Sequence, residues 1–289
     1  MLDAAEHIAV VSQRDEYCPG MDGAIGLLHP GEMGATLGAR LVEAGRPVRW
    51  VSTGRSASTA ERAAMAGLDD AGTLQRLVTS CDLIISVCPP HAALEVARGV
   101  AAAGFAGCYV DANAVSPATA KHVAAIVEAS GARFVDGGII GPPPTRAGTT
   151  RLYFSGRDAA EVSDRVATLA IDVHVVSDRP GSASALKLAY AAWTKGSAAL
   201  LLAVRAAALA TDVEAPLLRE WETSLPGLVD RSVAAADSGV AKGWRWVGEM
   251  EEIASMFAGL GLPDGFHRAA AAVYTDLPWR PGLERRELE

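Results

Sequence analysis

The sequence predicts an α/β fold in which a domain of alternating strands and helices precedes an all-α domain. From residue 24 to about residue 180, short apolar runs alternate with alanine-rich runs, which is the pattern of βαβ units on a parallel sheet. Beyond Gly181 the alternation ends. Residues 182–210 contain no proline and can form one helix about 40 Å long at ~1.5 Å per residue. We therefore expect a strand-rich domain over residues 23–181 and a helical domain over residues 182–289.

The elements of the first domain follow in order along the chain. A strand over residues 24–28 is followed by a helix that closes on Gly45. The further strand candidates are the runs "PVRWVS", "CDLIISVC", "GCYVDAN", "ARFVDGG", "TRLYFSG" and "DVHVVSD". The helix candidates among them are "STAERAAMAG", "HAALEVARGVAAAG", "SPATAKHVAAIVEASG" and "DAAEVSDRVATLA". This alternation is what predicts the parallel sheet.

Composition and charge exclude several classes of protein. The formal net charge of -8 argues against a nucleic-acid-binding protein, because such a protein needs a basic face. No apolar run approaches the roughly 18 to 20 residues that span a membrane, and residues 1–20 carry acidic residues where a signal peptide is basic. We expect a cytoplasmic protein with a small-molecule partner. Residues 1–22 do not match the pattern that follows, and we expect them to form a flexible extension.

The four cysteines predict neither disulfides nor a metal site. Cys81, Cys88 and Cys108 lie in or beside apolar strand runs, Cys18 lies in the polar leader, and no C-x-x-C pair occurs. Buried free thiols are the expected state.

The turn after the first strand nearly matches a dinucleotide-binding fingerprint. In "LLHPGEMG" the second and third glycines of G-x-G-x-x-G are present as Gly31 and Gly34, but His29 stands where the first glycine belongs. Gly31 would let the backbone approach a pyrophosphate, Gly34 would let the helix pack on the strand, and His29 with Pro30 would form the tight turn. The alternative is a plain structural turn. The cofactor-binding residues predicted at this turn are Leu28, His29, Pro30, Gly31, Glu32, Met33 and Gly34.

The end of the second strand indicates which dinucleotide would bind. An NAD-binding protein usually places Asp or Glu there, about 20 residues beyond the glycine-rich turn, to accept hydrogen bonds from the ribose. In "RWVSTGRSAS" no carboxylate occurs before Glu61, and Ser52, Thr53, Arg55 and Ser56 offer donors and a cation suited to a 2′-phosphate. This predicts NADP(H), and the alternative is a solvated turn that happens to carry an arginine.

Four segments occur here in the same order as in a known family. They are "IGLLHPGEMGATLGARLVEAGRPV", "CDLIISVCPP", "YVDANAVSPATAKHV" and "GARFVDGGIIGPPPTRAGTT". Over about residues 23–210 the chain thereby resembles the β-hydroxyacid dehydrogenase superfamily, which includes 3-hydroxyisobutyrate dehydrogenase, 6-phosphogluconate dehydrogenase and imine reductases. Its tail resembles the C-terminal domain of a less characterised subgroup. The resemblance implies a Rossmann-like domain, a long interdomain helix and a helical domain that forms a homodimer, with Glu249, Met250 and Phe257 as candidates to complete the partner's cleft.

The resemblance also implies a catalytic lysine on the long helix. The family pattern is close to G-x-x-x-x-x-K-x-x-N, and "GSASALKLAY" places Lys187 at the lysine. Between Leu186 and Leu188, a partly desolvated amine could act as general acid or base at neutral pH. Tyr190 lies one turn later, near the family's Asn, and could share the proton relay or orient the substrate. A surface lysine and a core tyrosine are the alternatives.

Two strand ends are expected against the nicotinamide. Asn113 follows "GCYVD" where the family has a small polar residue, and it would orient the nicotinamide or the substrate, or else form the turn after the strand. Val87, Cys88 and Pro89 would pass under the cofactor at the carboxyl edge of the sheet, where ligands of α/β proteins lie.

Departures from the family pattern bear on the substrate. Ile140 stands where the family has a serine that holds the substrate carboxylate, and Gly248 stands where a second substrate lysine is expected. These changes predict a more apolar, less anion-seeking pocket, with Arg146 as a candidate partner of a carboxylate or phosphate. The predicted substrate-lining residues are Ile139, Ile140, Gly141 and Trp193, with Trp244 and Trp246 as further wall residues or, alternatively, core residues.

Two classes of function follow. The first is an NADP(H)-dependent oxidoreductase that acts on a small hydroxy or carbonyl compound with Lys187 as general acid/base, and imine reduction is its close alternative. The second is a catalytically idle nucleotide-binding sensor, because His29, Ile140 and the lost Asn all depart from the family pattern.

Overall fold

The computed structural model describes residues 23–276 of the chain. The extension predicted for residues 1–22, Cys18 and the last residues of the predicted helical domain lie outside this range. None of the helices within it is long and apolar enough to cross a membrane. No group of three His, Cys, Asp or Glu side chains in the same range could hold a metal ion.

Eight strands of the described chain form one sheet in the order β3-β2-β1-β4-β5-β6-β7-β8. The strands are β1 (Ala24–Leu28), β2 (Val48–Trp50), β3 (Asp69–Asp70), β4 (Cys81–Ser86), β5 (Cys108–Asp111), β6 (Arg133–Ile140), β7 (Arg151–Ser155) and β8 (Asp172–Ser177). The predicted parallel pairing is confirmed among β1, β2, β4, β5 and β6 and between β7 and β8. It is wrong between β6 and β7, which pair antiparallel because a loop without a helix joins them and reverses the chain.

Helices cover the sheet and then form the second part of the chain. They are α1 (Glu32–Glu43), α2 (Ala57–Met65), α3 (Leu74–Ser80), α4 (Ala93–Ala102, preceded by the 3₁₀ turn Pro90–Ala92), α5 (Pro117–Glu128), α6 (Ala159–Val166), α7 (Ser182–Ala210), α8 (Glu214–Ser224), α9 (Leu228–Gly259) and α10 (Gly265–Asp276). The single helix predicted for residues 182–210 is confirmed as α7. The strand β3 was not predicted, because its two exposed aspartates carry no apolar pattern. The short helix α3 was not predicted either.

Apolar cores lie on both faces of the sheet. Every residue of β1 is buried, as expected of a central parallel strand with helices on either side. Leu27 and Ile85 belong to one core, Leu28 and Ile84 to the other. A third core lies between α7, α9 and α10 and is centred on residues such as Met250.

The start of α7 is anchored to the sheet by a buried carboxylate. Asp136 of β6 accepts hydrogen bonds from the backbone N–H groups of Gly181 and Ser184, each 3.0 Å long, and from the hydroxyls of Ser155 and Ser184. A carboxylate at this helix end is stabilised by the helix dipole. At Gly138 of β6 a β-carbon would lie 2.8 Å from the carbonyl oxygen of Ala183. The glycine therefore lets α7 pack directly on the strand.

Three cysteines lie in the described chain as free thiols. Cys81 and Cys108 are buried and Cys88 is half-buried, which confirms the prediction of free, largely buried thiols for these three. Burial raises the pKa of both Cys88 and Cys108 to about 12. Neither is a thiolate at neutral pH.

Candidate functional site

A cavity of about 410 Å³ lies between the carboxyl edge of the sheet and the helical domain. On the sheet side its wall includes the start of α1, the segments that follow β4 and β5, and the end of β6; on the other side it includes α7 and α9. The cavity brings together nine predicted site residues, which are Glu32, Met33, Val87, Cys88, Asn113, Ile139, Gly141, Lys187 and Tyr190. Residues from the cofactor, catalytic and substrate predictions therefore meet in one place.

The turn between β1 and α1 has the conformation that the missing glycine would provide. His29 adopts a left-handed backbone with φ 65°, which few non-glycine residues do. A β-carbon at Gly34 would lie 2.7 Å from the carbonyl oxygen of His29, so only glycine fits where helix and turn meet. At Gly31 the nearest atom would be 4.0 Å away, which leaves the backbone open to a ligand. Within the described chain no side chain caps the start of α1.

Leu28 and Pro30 complete this turn without lining the cavity. Leu28 is the last residue of β1 and is 4% exposed in the core. The carbonyl oxygen of Pro30 accepts a hydrogen bond from Arg62 of α2 at 3.5 Å. Both residues therefore support the conformation of the turn without forming part of the cavity wall.

Arg55 reaches back from the loop after β2 to this turn. Its Nη2 atom donates a 2.7 Å hydrogen bond to Nε2 of His29. Burial, with Arg55 adding to the effect, lowers the pKa of His29 to about 4, so the imidazole is neutral near pH 7 and can accept this bond. This hydrogen bond joins His29 and Arg55, which are 26 residues apart in the sequence, at one edge of the sheet.

The hydroxyl groups of Thr53 and Ser56, which were predicted to bind the cofactor beside Arg55, make hydrogen bonds to the backbone of the chain. Thr53 Oγ1 donates to the carbonyl oxygen of Gly72 at 2.6 Å, and Ser56 Oγ caps α2 by accepting from the N–H of Thr59. Ser52 is half-buried at the end of β2. Arg55 is exposed and is therefore the cation of this loop that is free to meet a ligand from solvent.

Asn113 links the ends of two strands at the cavity wall. Its Oδ1 accepts a 2.6 Å hydrogen bond from the N–H of Cys88, and its Nδ2 donates to Ser86 Oγ at 3.3 Å. Its own N–H donates to Asp111 Oδ1 at 2.9 Å. The side chain thus holds the segment after β4 in place. Pro89 follows this segment and lies outside the cavity lining.

Lys187 projects from α7 into the cavity. Its side chain is 17% exposed, which excludes the alternative of a surface lysine, and its Nζ lies 3.3 Å from Oε1 of Glu249 on α9. Tyr190, one turn further, lines the same cavity and is 48% exposed, so it is not a core tyrosine.

Sequence reasoning missed Lys195 and the contacts that Glu249 makes with two lysines of its own chain. Lys195 Nζ pairs with Oε2 of Glu249, so that one buried carboxylate carries two lysines. Burial lowers the pKa of Lys195 to about 8, with Lys187 adding to the shift and Glu249 opposing it. Burial opposes ionisation of Glu249, but the two lysines hold its pKa below the usual value. The spacing of Lys187 and Lys195 on one helix face was the available signal.

Several predicted substrate residues lie apart from the cavity. Ile139 and Gly141 line it, whereas Ile140 is buried beside them and faces away from the lining. Trp193 is 69% exposed and lies outside the lining. Of the further wall candidates Trp246 lines the cavity, and Trp244 and Arg146 do not.

The cavity is richer in cations than the sequence predicted. Besides Lys187 and Lys195, it is lined by Lys242 and Arg245 of α9. Nη1 of Arg245 lies 3.5 Å from Oε2 of Glu32 at the start of α1, and this ion pair joins α9 to the sheet-containing domain beside the cavity. The prediction of a more apolar, less anion-seeking pocket stays a prediction, because Glu249 and Glu32 pair with three of these four cations.

Comparison with known proteins supports a common architecture. Residues 23–168 match the family model of the NAD binding domain of 6-phosphogluconate dehydrogenase, and residues 208–277 match a domain of unknown function. An uncharacterized 28.5 kDa protein of Methanothermus fervidus is 30% identical over 180 residues, which are 62% of this chain and 68% of that protein.

Two solved structures share the fold over most of their length. The 3-hydroxyisobutyrate dehydrogenase of Mycobacterium tuberculosis, solved with L-serine, is 18% identical, with 89% of this chain and 94% of that chain covered and a TM-score of 0.69. A reductive aminase from Aspergillus terreus, in complex with NADPH and ethyl-5-oxohexanoate, is 21% identical, with 91% and 96% covered and a TM-score of 0.55. At these identities the likeness concerns the fold alone.

Proposed function

The chain belongs to the β-hydroxyacid dehydrogenase superfamily, and we propose that it is a cytoplasmic NADP(H)-dependent oxidoreductase of small hydroxy or carbonyl compounds. The observation that carries this proposal is the cavity in which the carboxyl edge of a nucleotide-type sheet faces Lys187. Ligands of open α/β sheets bind at that edge. A proton donor therefore stands opposite the place where a dinucleotide would end.

The residues of the β1–α1 turn fit a dinucleotide. Gly31 leaves its backbone open, Gly34 brings α1 against the turn, and no side chain of the described chain caps the start of the helix. Backbone N–H groups at a helix start favour a phosphate. Arg55, held by His29, would meet the 2′-phosphate of NADP(H), and no carboxylate of residues 52–56 would compete for the ribose.

Lys187 would hold and move the proton at the substrate. A bound nicotinamide supplies or accepts the hydride. In the reductive direction the Lys187 ammonium group would donate a proton to the substrate oxygen; in the oxidative direction the neutral amine would remove the hydroxyl proton. Tyr190 would orient the substrate from the next turn, and Asn113 would keep the segment after β4 in place beneath it.

Cofactor titration followed by turnover tests the proposal. Protein fluorescence would be followed during titration with NADPH and NADH, and turnover would then be measured on aldehydes, keto acids and cyclic imines. We expect tighter binding of NADPH. Arg55→Ala should weaken NADPH binding about 10-fold to 100-fold, as for a lost charged hydrogen bond, and leave NADH unchanged. Arg98→Ala, on the exposed side of α4, is the matched control.

Lys187→Ala separates an enzyme from an idle sensor. In an enzyme the variant keeps NADPH affinity and loses turnover by about 100-fold or more, because a general acid/base contributes roughly that factor. Wild-type protein that binds neither dinucleotide would end the oxidoreductase proposal. Binding without turnover of any substrate would favour the sensor.

Imine reduction is the second candidate within the enzyme class. Tyr190 favours it, because a phenol in the cavity beside Lys187 offers a second proton donor to a substrate nitrogen. The reductive aminase of similar fold was solved with NADPH. Turnover of cyclic imines that is lost in Tyr190→Phe and retained in Lys187→Ala would favour this chemistry over carbonyl reduction.

The helical domain supports a homodimer. Along α7 a stripe of apolar side chains outside the cavity lining is exposed, and its members are Leu186, Trp193, Leu200 and Val204. Their spacing keeps them on one face of the helix. Solvent-exposed apolar patches of this kind mark protein interfaces, and a second copy of the chain is the partner that the proposal assigns to this one.

A further inference from the structure

Two lysines of α7 share one buried carboxylate inside the cavity. Lys187 Nζ lies 3.3 Å from Oε1 of Glu249, and Lys195 Nζ pairs with Oε2 of the same group. The side chains are 17%, 19% and 7% exposed, respectively. Lys187 and Lys195 lie about two helical turns apart, so that α7 presents both amines to α9. Each oxygen of the Glu249 carboxylate therefore contacts one amine, so that this one carboxylate links Lys187 to Lys195.

The surroundings of Lys195 leave Glu249 as its partner. Trp246 of α9 lies under the ammonium group, with the ring centroid 5.5 Å from Nζ. Tyr274 of α10 donates its hydroxyl to the carbonyl oxygen of Lys195 at 2.6 Å and does not reach the amine. The other charged groups of the wall are Lys242, Arg245 and Glu32, of which the last two pair with each other. Within residues 23–276, Glu249 is the one carboxylate that pairs with either lysine.

With both lysines protonated, this arrangement has two positive charges and one negative charge, so that one positive charge is not neutralised. We propose that Lys187, Glu249 and Lys195 form one proton-holding unit, in which Glu249 positions both amines and Lys195 replaces the proton that Lys187 gives to the substrate. The inference rests on the proposed function. Lys195 and Glu249 act through Lys187 and are therefore positioning residues.

The proposed transfer balances in three steps. The Lys187 ammonium group loses a proton to the substrate oxygen and becomes a neutral amine. The Lys195 ammonium group loses a proton to Oε2 of Glu249, and the carboxyl group, by rotating, passes this proton to Lys187. Lys195 is then a neutral amine and regains its proton from water at the exposed part of its side chain. Its pKa of about 8 makes this release easier than from an ordinary lysine, whose pKa is about 10.4.

The first test needs no turnover. The chain has four lysines, Lys121, Lys187, Lys195 and Lys242, so protein labelled with ¹³C at lysine Cε gives four signals that Lys→Arg variants assign. The Lys195 signal should titrate near pH 8, well below the pKa of about 10.4 of an ordinary lysine. In Glu249→Gln the signals of Lys187 and Lys195 should both move while Lys121 stays fixed. A Lys195 signal that titrates at the pKa of an ordinary lysine, about 10.4, would overturn the inference.

The second test uses two replacements of Lys195. Lys195→Arg keeps the positive charge facing Glu249 but cannot release a proton, because a guanidinium remains charged at all working pH values. We expect a first turnover close to wild type and then a steady-state kcat about tenfold lower, with KM within twofold and the alkaline limb of the pH profile displaced. Lys195→Met should show the same defect. Lys121→Met, the matched control, should behave as wild type.

The outcomes separate this inference from the proposed function. If Lys195→Arg turns over at the wild-type rate with an unchanged pH profile, the role of Lys195 is structural and the inference is wrong, while the oxidoreductase proposal stands. If wild-type protein turns over nothing in the presence of NADPH, the proposed function fails and the proton-holding unit fails with it.

Discussion

At the scale of single residues, His29 replaces a glycine without replacing its conformation. The backbone keeps a left-handed φ of 65°, and the imidazole that the substitution adds accepts a hydrogen bond from Arg55. A residue that departs from the fingerprint thus supports the loop that would bind the 2′-phosphate. His29 therefore has two opposing effects on the free energy of folding. Its left-handed backbone conformation lowers the stability, and its hydrogen bond with Arg55 offsets part of that loss.

A pair of variants isolates the backbone effect at His29. His29→Gly and His29→Ala both remove the imidazole, and they differ only in the cost of placing a β-carbon at positive φ. We expect His29→Ala to be less stable than His29→Gly by about 1 kcal/mol, which corresponds to roughly 3 °C in Tm. Differential scanning calorimetry of both proteins measures this. Equal Tm values would mean that the turn relaxes to negative φ once the imidazole is gone.

Asp111 makes stability depend on pH in the direction opposite to most carboxyl groups. It is fully buried at the end of β5, opposite Asp136 on β6, and burial raises its pKa to about 7, with Asp136 adding to the shift and the N–H of Asn113 opposing it. The unfolded carboxyl group ionises near pH 4, so the unfolded state loses its proton first. Stability contributed by this group therefore falls as pH rises from about 4 to about 7.

Asp111→Asn should remove this pH dependence. We expect the variant to gain about 2 to 4 kcal/mol of unfolding free energy relative to wild type at pH 8 and clearly less at pH 5. Urea denaturation at both pH values measures the difference. Asp69→Asn, on the exposed strand β3, is the control and should show no such dependence. A gain of the same size at both pH values would place the ionisation of Asp111 outside this range.

The sequence identified the residues of the site that short-range patterns mark. Gly31, Gly34 and Lys187 could be found because each stands at a fixed distance from its neighbours in a turn or on a helix, and the family assignment drawn from four such segments is confirmed. Glu249 pairs with Lys195 across 54 residues, and no local pattern encodes that contact. Trp193 was placed in the pocket for its size, but the orientation of the helix turns it to solvent.

At the scale of elements, prediction succeeded where composition decides and failed where tertiary contacts decide. α7 was predicted with its observed bounds because a run of Ala and Leu without proline has no competing conformation. β3 exists only because Asp69 and Asp70 pair with the end of β2. The direction of β7 follows from the helix-free loop after β6, which apolar periodicity does not reveal.

The contact of α1 with its preceding turn sets the geometry of the proposed phosphate site. Gly34→Ala would place a β-carbon 2.7 Å from the backbone oxygen of His29, and a backbone atom cannot move aside as a side chain does. We expect a loss of about 1 to 3 kcal/mol in stability and weaker NADPH binding, measured by urea denaturation and fluorescence titration. Gly99→Ala on α4 meets only Leu74, at 3.6 Å, and should gain about 0.5 to 1 kcal/mol. A stable Gly34→Ala protein with wild-type NADPH affinity would contradict this account.

At the scale of the whole molecule, the site exists only where the two domains meet. The sheet edge would hold the proposed cofactor, and α7 and α9 supply the lysines of the cavity. The Glu252 carboxylate of α9 accepts hydrogen bonds from Ser116 and Thr119 at the start of α5. The helical domain is thereby held against the sheet at a point beside the cavity. α7 faces the sheet with one side, α9 and α10 with another, and leaves its apolar stripe uncovered.

If a second copy of the chain covers this stripe, a single charged substitution within the stripe should dissociate the dimer. Trp193 is 69% exposed in the middle of the stripe, and Trp193→Asp would place a carboxylate in the apolar interface without touching the cavity lining. Light scattering coupled to size-exclusion chromatography should give the mass of two chains for wild type and of one chain for the variant. Leu169→Asp, at a fully exposed leucine in the other domain, is the matched control and should remain a dimer. A wild-type protein of single-chain mass at micromolar concentration would refute the dimer, and a Trp193→Asp protein that stays dimeric would locate its interface elsewhere.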